Sequence, residues 1–262
     1  MFTLGLYNKF EEFNKDKIDR RHKYHADYLN LCQVAEFLQE EGNILQRERK
    51  LTEFWSQLYQ NKIDEYKPGE IGFVQSLMAL FLPLFKLQPF VYEEKHCQVC
   101  SFYERNKIRW PLPLKFDDIG NISYDSLQQW YDWYVDRRPY QQCETCFENE
   151  LNIEINYEQE PNILIIEFIS TKKRQNEKFF SPTLRNKVKN SRFELIATIN
   201  MPIPKHFTCA IYEPFLDKSN PYPNIWAIHD GLKNQGKIVQ APSLQFVFEQ
   251  NPILLFYKKF DS

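Results

Sequence analysis

The stretch His96-Cys97-Gln98-Val99-Cys100 decides the reading of this chain, because its thiol spacing recurs as Cys143-Glu144-Thr145-Cys146. Two thiolates three positions apart on a tight knuckle chelate one zinc ion. A second knuckle completes a tetrahedral shell of four thiolates. The interval 101–142 is longer than in a compact zinc finger, so the pairs read as a clasp joining the ends of a long excursion. A disulfide, or a set of buried free thiols, would carry the same spacing. No secretion signal is visible in Met1–Phe10, and a reducing compartment keeps thiols unpaired, which favours the metal. His96 adjoins the first knuckle, but four cysteines already fill the shell.

Composition narrows the class further. A chain of 262 residues accommodates one large domain or two small ones and buries a substantial core. Aromatic residues make up 16 %, with 22 Phe and 15 Tyr against only 7 Gly, which suits bulky core packing and argues against disorder. A formal net charge of −2 advertises neither nucleic acid nor acidic lipid as a partner. The longest apolar stretch, Leu77–Phe85, contains Pro83 and is too short to span a bilayer. A cytoplasmic or nuclear protein without a membrane partner is therefore expected.

Outward from the knuckles, the texture changes along the chain. Residues 1–27 form a charged arm in which Lys15, Lys17, Arg20, Arg21 and Lys23 alternate with acids. Val34, Phe37 and Leu38 make one helical stripe, and Leu51, Phe54, Trp55 and Leu58 make another, with Gly42-Asn43 as the turn between them. Ile71–Leu82 predicts a third apolar helix, ended by Pro83. From Phe90 onward short strand-like runs take over: Ile108–Leu114, Leu151–Tyr157, Ile163–Ile169, Phe193–Asn200, Phe207–Tyr212, Ile225–Ile228 and Ile253–Tyr257. Ser123–Val135, between the knuckles, predicts a helix. Helices first and a mostly antiparallel sheet afterwards define an α+β chain.

Three residues suggest chemistry. His206 opens one predicted strand and Asp230 closes the next, so adjacent antiparallel strands would set imidazole beside carboxylate. That contact fixes the tautomer of the ring and supports its protonated form, leaving the other nitrogen for a nucleophile. A surface histidine and an Asp-Gly turn are the plainer reading. Cys32 lies far upstream of the zinc set, where a helix start and an imidazolium would depress a thiol's pKa. A buried small apolar side chain is the alternative there. Cys209 and His229 read as packing residues. The basic stretches Lys172-Lys173-Arg174 and Lys187–Arg192 read as solvated loop.

Taken together, these segments resemble the ubiquitin-specific protease superfamily of cysteine peptidases, nearest its divergent SUMO-directed branch. The two Cys-x-x-Cys pairs, Trp110-Pro111-Leu112-Pro113-Leu114 and Ser126-Leu127 match the family's zinc-bearing fingers. Pro161-Asn162-Ile163-Leu164-Ile165-Ile166 looks like a palm strand. Phe193–Ile199 with Lys205-His206-Phe207-Thr208 is similar to the histidine box, Trp226-x-x-x-Asp230 to the acidic box, and Leu254–Tyr257 to the last strand. Asn30-Leu31-Cys32 with Gln39 retains part of the cysteine box, and Phe54-Trp55 lies near a Phe-Trp pair of the divergent branch.

The resemblance implies a papain-like fold over 1–262: a reduced helical thumb (28–88), zinc fingers (90–155) and an antiparallel palm (156–260). It implies Cys32 as nucleophile, His206 as base and then acid, and Asp230 as the orienting acid. Cys97, Cys100, Cys143 and Cys146 would hold a structural zinc ion. The implied activity is release of ubiquitin or a SUMO-like modifier from lysines of a protein substrate. Gln33 replaces the usual aromatic after the nucleophile, and Gly231 replaces a second polar acid. His25-Ala26-Asp27-Tyr28 replaces the Gly/Asn-rich approach that donates to the oxyanion. Such donors are commonly worth about 2.7–4 kcal/mol, so a second expectation is a non-catalytic scaffold that binds a modifier or a protein. A zinc-stabilised nucleic-acid module is a third reading, and the near-neutral charge speaks against it.

Overall fold

A computed structural model describes residues 20–21, 25–26, 29, 49, 52–53, 56–57, 59–60, 91–107, 112–114, 126–135, 142–148, 151–157, 160–168, 179–204, 206–212, 226–230 and 238–260. Cys32, the rest of its box, and the stripes Val34/Phe37/Leu38 and Leu51/Phe54/Trp55/Leu58 lie outside these residues, as does Ile71–Leu82. His25, Ala26 and Leu29 are helical. So are Arg49, Thr52, Glu53, Ser56, Gln57, Tyr59 and Gln60, all exposed or half-exposed, with Arg49 and Glu53 paired one turn apart at 2.9 Å. No helix among the described residues is long and apolar enough to cross a membrane.

The chain divides into two compact units, Met1–Gln88 with Ala197–Pro252, and Pro89–Ile196 with Ile253–Ser262. The second unit contains a three-stranded antiparallel sheet in the order β2-β1-β4, from β1 (Val91–Cys97), β2 (Tyr103–Lys107) and β4 (Leu151–Tyr157). Ion pairs lie across it on both faces: Lys95 pairs with Glu104 at 3.0 Å on one and Arg105 with Glu94 at 3.1 Å on the other, each across a register pair. On the Lys95 face, toward the knuckles, Leu151 and Ile153 pack beneath the first cysteine of each knuckle, Cys97 and Cys143.

The same unit carries the central strand β5 (Ile163–Phe168), buried at every position. Its Ile, Leu and Phe positions suit a strand covered on both faces, and Glu167 is buried among them. Strand β11 (Pro252–Phe260) pairs with it antiparallel, and β3 (Leu112–Leu114) pairs with it parallel. The strand order there is β7-β11-β5-β3, with β6 (Thr183–Asn186) beside β7 (Ser191–Ile203). Tyr257 of β11 is fully buried and donates its hydroxyl to Ser181 O at 2.7 Å.

Helix α1 (Leu127–Val135) lies within this unit. Its buried residues, Leu127, Trp130, Tyr131, Tyr134 and Val135, fall at i, i+3, i+4, i+7 and i+8, a single helical stripe. Burying each such side chain contributes about 1.5–3 kcal/mol. Ser126 caps the start, its hydroxyl accepting from Gln129 N at 3.2 Å. The helix therefore begins at Leu127, later than the Ser123 start that periodicity predicts. Gln128 holds β6 with a paired amide contact, donating to Arg185 O at 2.9 Å and accepting from Arg185 N at 2.8 Å.

In the first unit, the order is β10-β9-β8-β7, from β8 (His206–Tyr212), β9 (Trp226–Asp230), β10 (Ile238–Gln240) and the later part of β7. All three pairings are antiparallel. A bulge in β7 between Asn200 and Ile203 shifts the register where β7 turns toward β8. Helix α2 (Leu244–Glu249) follows, capped by Ser243, which accepts from Phe246 N at 3.1 Å. Asn251, left-handed at φ 57°, then turns the chain toward β11.

Candidate active site and metal centre

The metal centre grows from two knuckles of matching construction. In the first, Cys97 N donates to Phe102 O at 2.9 Å; in the second, Cys143 N donates to Glu148 O at 2.8 Å. The residue after each second cysteine is left-handed, Ser101 at φ 56° and Phe147 at φ 61°. Such a turn folds the chain back so that both thiols of a knuckle face the same point. Strand β1 delivers the first knuckle and β4 leaves the second, with Cys97 opposite Leu151 in register.

All four sulfurs lie within 4.8 Å of one another. Cys97 Sγ is 3.6 Å from Cys146 Sγ, and Cys100 Sγ is 3.7 Å from Cys143 Sγ. Disulfide sulfurs would be about 2.05 Å apart, so the disulfide alternative is excluded and the thiols are free. A tetrahedral ion with Zn–S bonds of about 2.3 Å has S···S edges of about 3.8 Å. The observed separations fit that shell. The Cys146 backbone is the main influence on the Cys143 thiol and holds its pKa down at about 6. The Glu148 backbone favours the Cys146 thiolate, yet burial and the three neighbouring sulfurs push that thiol up to about 12. Four sulfurs this close cannot all be anionic without a cation among them.

The second constellation lies on β8 and β9. Thr208 faces Asp230 in register, so His206, two residues earlier on the same face of β8, is the diagonal neighbour of Asp230. His206 Nε2 lies 3.0 Å from Asp230 Oδ1, and the two side chains are only 13 % and 9 % exposed. Among the described residues Nε2 nevertheless makes no hydrogen bond. The separation suffices for one, so it is the direction of the ring N–H that misses the carboxylate. Contact through Nε2 leaves Nδ1 as the nitrogen available to another group.

The opposite face of the same strands carries Cys209 and His229, themselves register partners. They point away from the His206–Asp230 pair and are half-buried, so Cys209 is not the core thiol its position suggests. Two residues of the polar face escaped the sequence analysis. Asn200 of β7 is opposite Thr208 in register and is completely buried; Thr208 is 5 % exposed. The available signal was an asparagine two residues after Thr198 on a strand whose other buried residues are mostly apolar.

No family model and no curated protein matches the chain. Solved structures do match in fold. The fold is ubiquitin-specific-protease-like, mostly sheet with a cysteine cluster among the described residues. One matching structure is a Ubp8/Sgf11/Sus1/Sgf73 SAGA DUB module bound to monoubiquitin, at TM-score 0.62 and 11 % identity, covering 98 % of this chain and 64 % of that one. A second is the same module bound to ubiquitin aldehyde, at TM-score 0.59 and 12 % identity, covering 98 % and 64 %. A third, the Ubp8/Sgf11/Sus1/Sgf73 module, gives TM-score 0.61 and 13 % identity over 99 % and 64 %. The chain thus spans just under two thirds of the chains it matches.

Proposed function

We propose that the protein is a thiol isopeptidase that releases ubiquitin or a SUMO-like modifier from substrate lysines. The observation that carries this reading is the 3.0 Å contact between His206 Nε2 and Asp230 Oδ1, in a fold like that of ubiquitin-bound DUB modules. Cys32 is the nucleophile. Nδ1 of His206 takes the thiol proton as sulfur attacks the isopeptide carbonyl, then returns it to the departing lysine amine. Water next attacks the thioester, the imidazole again accepting the proton; the C–S bond breaks, freeing the modifier's C-terminal carboxylate, and the proton returns to the Cys32 sulfur. Asp230 holds the ring and stabilises its charged form.

Cys97, Cys100, Cys143 and Cys146 hold one structural zinc ion, which knits the fingers that grip the modifier. The papain-like thumb (28–88), fingers (90–155) and palm (156–260) belong to the same proposal. Turnover of lysine-linked ubiquitin and SUMO substrates by zinc-loaded protein, compared with Cys32→Ser, tests the reading. Activity toward one modifier that disappears in the variant supports it. Equal release by both proteins would sink it.

A non-catalytic scaffold that grips a modifier or a protein partner is the second reading. It is favoured by the misaligned N–H of His206 and by the departures around Cys32. That reading predicts modifier binding without turnover.

A further inference from the structure

Asn200, Thr208 and Asp230 occupy one row across three adjacent strands, since Asn200 faces Thr208 and Thr208 faces Asp230 in register. All three are buried, at 0 %, 5 % and 7 % exposure. Asn200 Nδ2 approaches Thr208 Oγ1 at 3.5 Å, the long limit of a hydrogen bond. Asn200 Oδ1 has no partner among the described residues, and the same holds for Thr198 Oγ1, two residues earlier on that face.

A buried amide with an orphaned oxygen is a poor packing residue. An apolar side chain of the same shape would avoid the desolvation cost and fill the same volume. Fold stability therefore does not account for Asn200, and its place at the end of a polar row leading to the His206–Asp230 contact offers a reason. Its amide reaches the Thr208 hydroxyl, and Thr208 is the register partner of the residue whose carboxylate must be aimed at the ring.

We propose that Asn200 and Thr208 are positioning residues, forming a buried relay that sets the Asp230 carboxylate against His206. This inference rests on the reading of His206 and Asp230 as a catalytic pair. The relay moves no proton; it restricts the rotamer of Asp230 and, through it, the tautomer and tilt of the imidazole. Outer partners of metal-ligating histidines orient the ring in this way, and losing one costs about 10- to 100-fold.

The test uses the full chain and the variants Asn200→Leu, which keeps the side-chain shape, and Thr208→Val, which removes only the hydroxyl's chemistry. Turnover of a C-terminally fluorogenic ubiquitin, the melting temperature, and the ¹⁵N spectrum of the His206 ring are measured. The relay predicts that kcat falls about 10- to 100-fold with KM within about twofold of the original. The double variant is then no worse than either single, because both act through one carboxylate. The melting temperature of Asn200→Leu is unchanged or higher, and the ring changes from one tautomer to a mixture. Retained kcat with an unaltered ring spectrum in both variants overturns the relay. A lower melting temperature for Asn200→Leu with an unaltered spectrum does so too, by making the amide structural. A wild-type protein with no turnover overturns the peptidase reading instead. The ring spectrum, which needs no substrate, then decides the relay by itself.

Discussion

His206 Nε2 lies 3.0 Å from Asp230 Oδ1 because strand register makes the two residues diagonal neighbours on one face of β8 and β9. Neither group needs a long loop to bring it there. A two-residue offset between adjacent antiparallel strands is within reach of an imidazole and a carboxylate. The pair therefore survives any change in the surrounding loops that leaves the strand register intact.

On the proposed mechanism, Asp230→Asn preserves the shape of the pair and removes its charge. Turnover is expected to fall roughly 10²- to 10⁴-fold, mostly in kcat, while the folded structure is retained. Steady-state kinetics beside a circular dichroism spectrum checks this. Full activity in Asp230→Asn would show that the contact is structural.

Zinc should be present at one ion per chain, measured by elemental analysis of protein purified without chelator. Its ligands must be deprotonated to bind, so acidification is expected to release the metal before the rest of the fold unravels. Cys143→Ser removes a ligand at the buried base of the knuckle, above Leu151 and Ile153. That variant should lose the ion and unfold locally, seen as faster amide exchange in β1 and β4. Unchanged exchange in metal-free protein contradicts a structural role.

Phe147 combines a left-handed backbone at φ 61° with 71 % exposure, so its ring buries little to offset the strain. Left-handed geometry costs a non-glycine residue roughly 1–2 kcal/mol, and glycine loses part of that gain through its freer unfolded chain. Phe147→Gly is expected to stabilise the protein by up to about 1 kcal/mol in urea unfolding. Destabilisation would mean that the exposed ring has a partner in the folded protein.

Burial raises the pKa of Tyr257 well above its ordinary value of 10.0. A raised folded pKa makes its contribution complete below pH 10 and progressively lost above it, as the unfolded chain sheds the proton that the folded one keeps. Melting temperature should therefore decline as pH rises past about 10. Tyr257→Phe should decline less over that range, although it starts lower for want of the bond to Ser181 O. Parallel pH profiles for the two proteins would contradict this.

Much of the fold was legible because its signals are local. Leu151–Tyr157 matches the predicted strand from end to end, and the apolar stripe of α1 is visible at its 3.6-residue spacing. The four-cysteine cluster was legible because Cys-x-x-Cys fixes its own geometry. Other features depend on partners distant in sequence. The strand character of β1 comes from cross-strand pairing of Glu94 and Lys95 with Arg105 and Glu104, which no hydrophobic alternation announces. The parallel pairing of β3 with β5 breaks the expected antiparallel order, and α2 is six residues long and depends on its Ser243 cap. His206 and Asp230 could be named from strand ends, whereas Asn200 emerged only once register placed it opposite Thr208. Cys32 lies outside the described residues, so its role rests on the sequence and on the proposed chemistry.

The most direct measurement is labelling of zinc-loaded protein with ubiquitin and SUMO carrying a C-terminal electrophile, followed by peptide mapping. The proposed mechanism predicts a single adduct at Cys32, formed with one modifier and strongly slowed in His206→Ala. Absence of any adduct, or modification confined to Cys209 or the knuckle thiols, would contradict it.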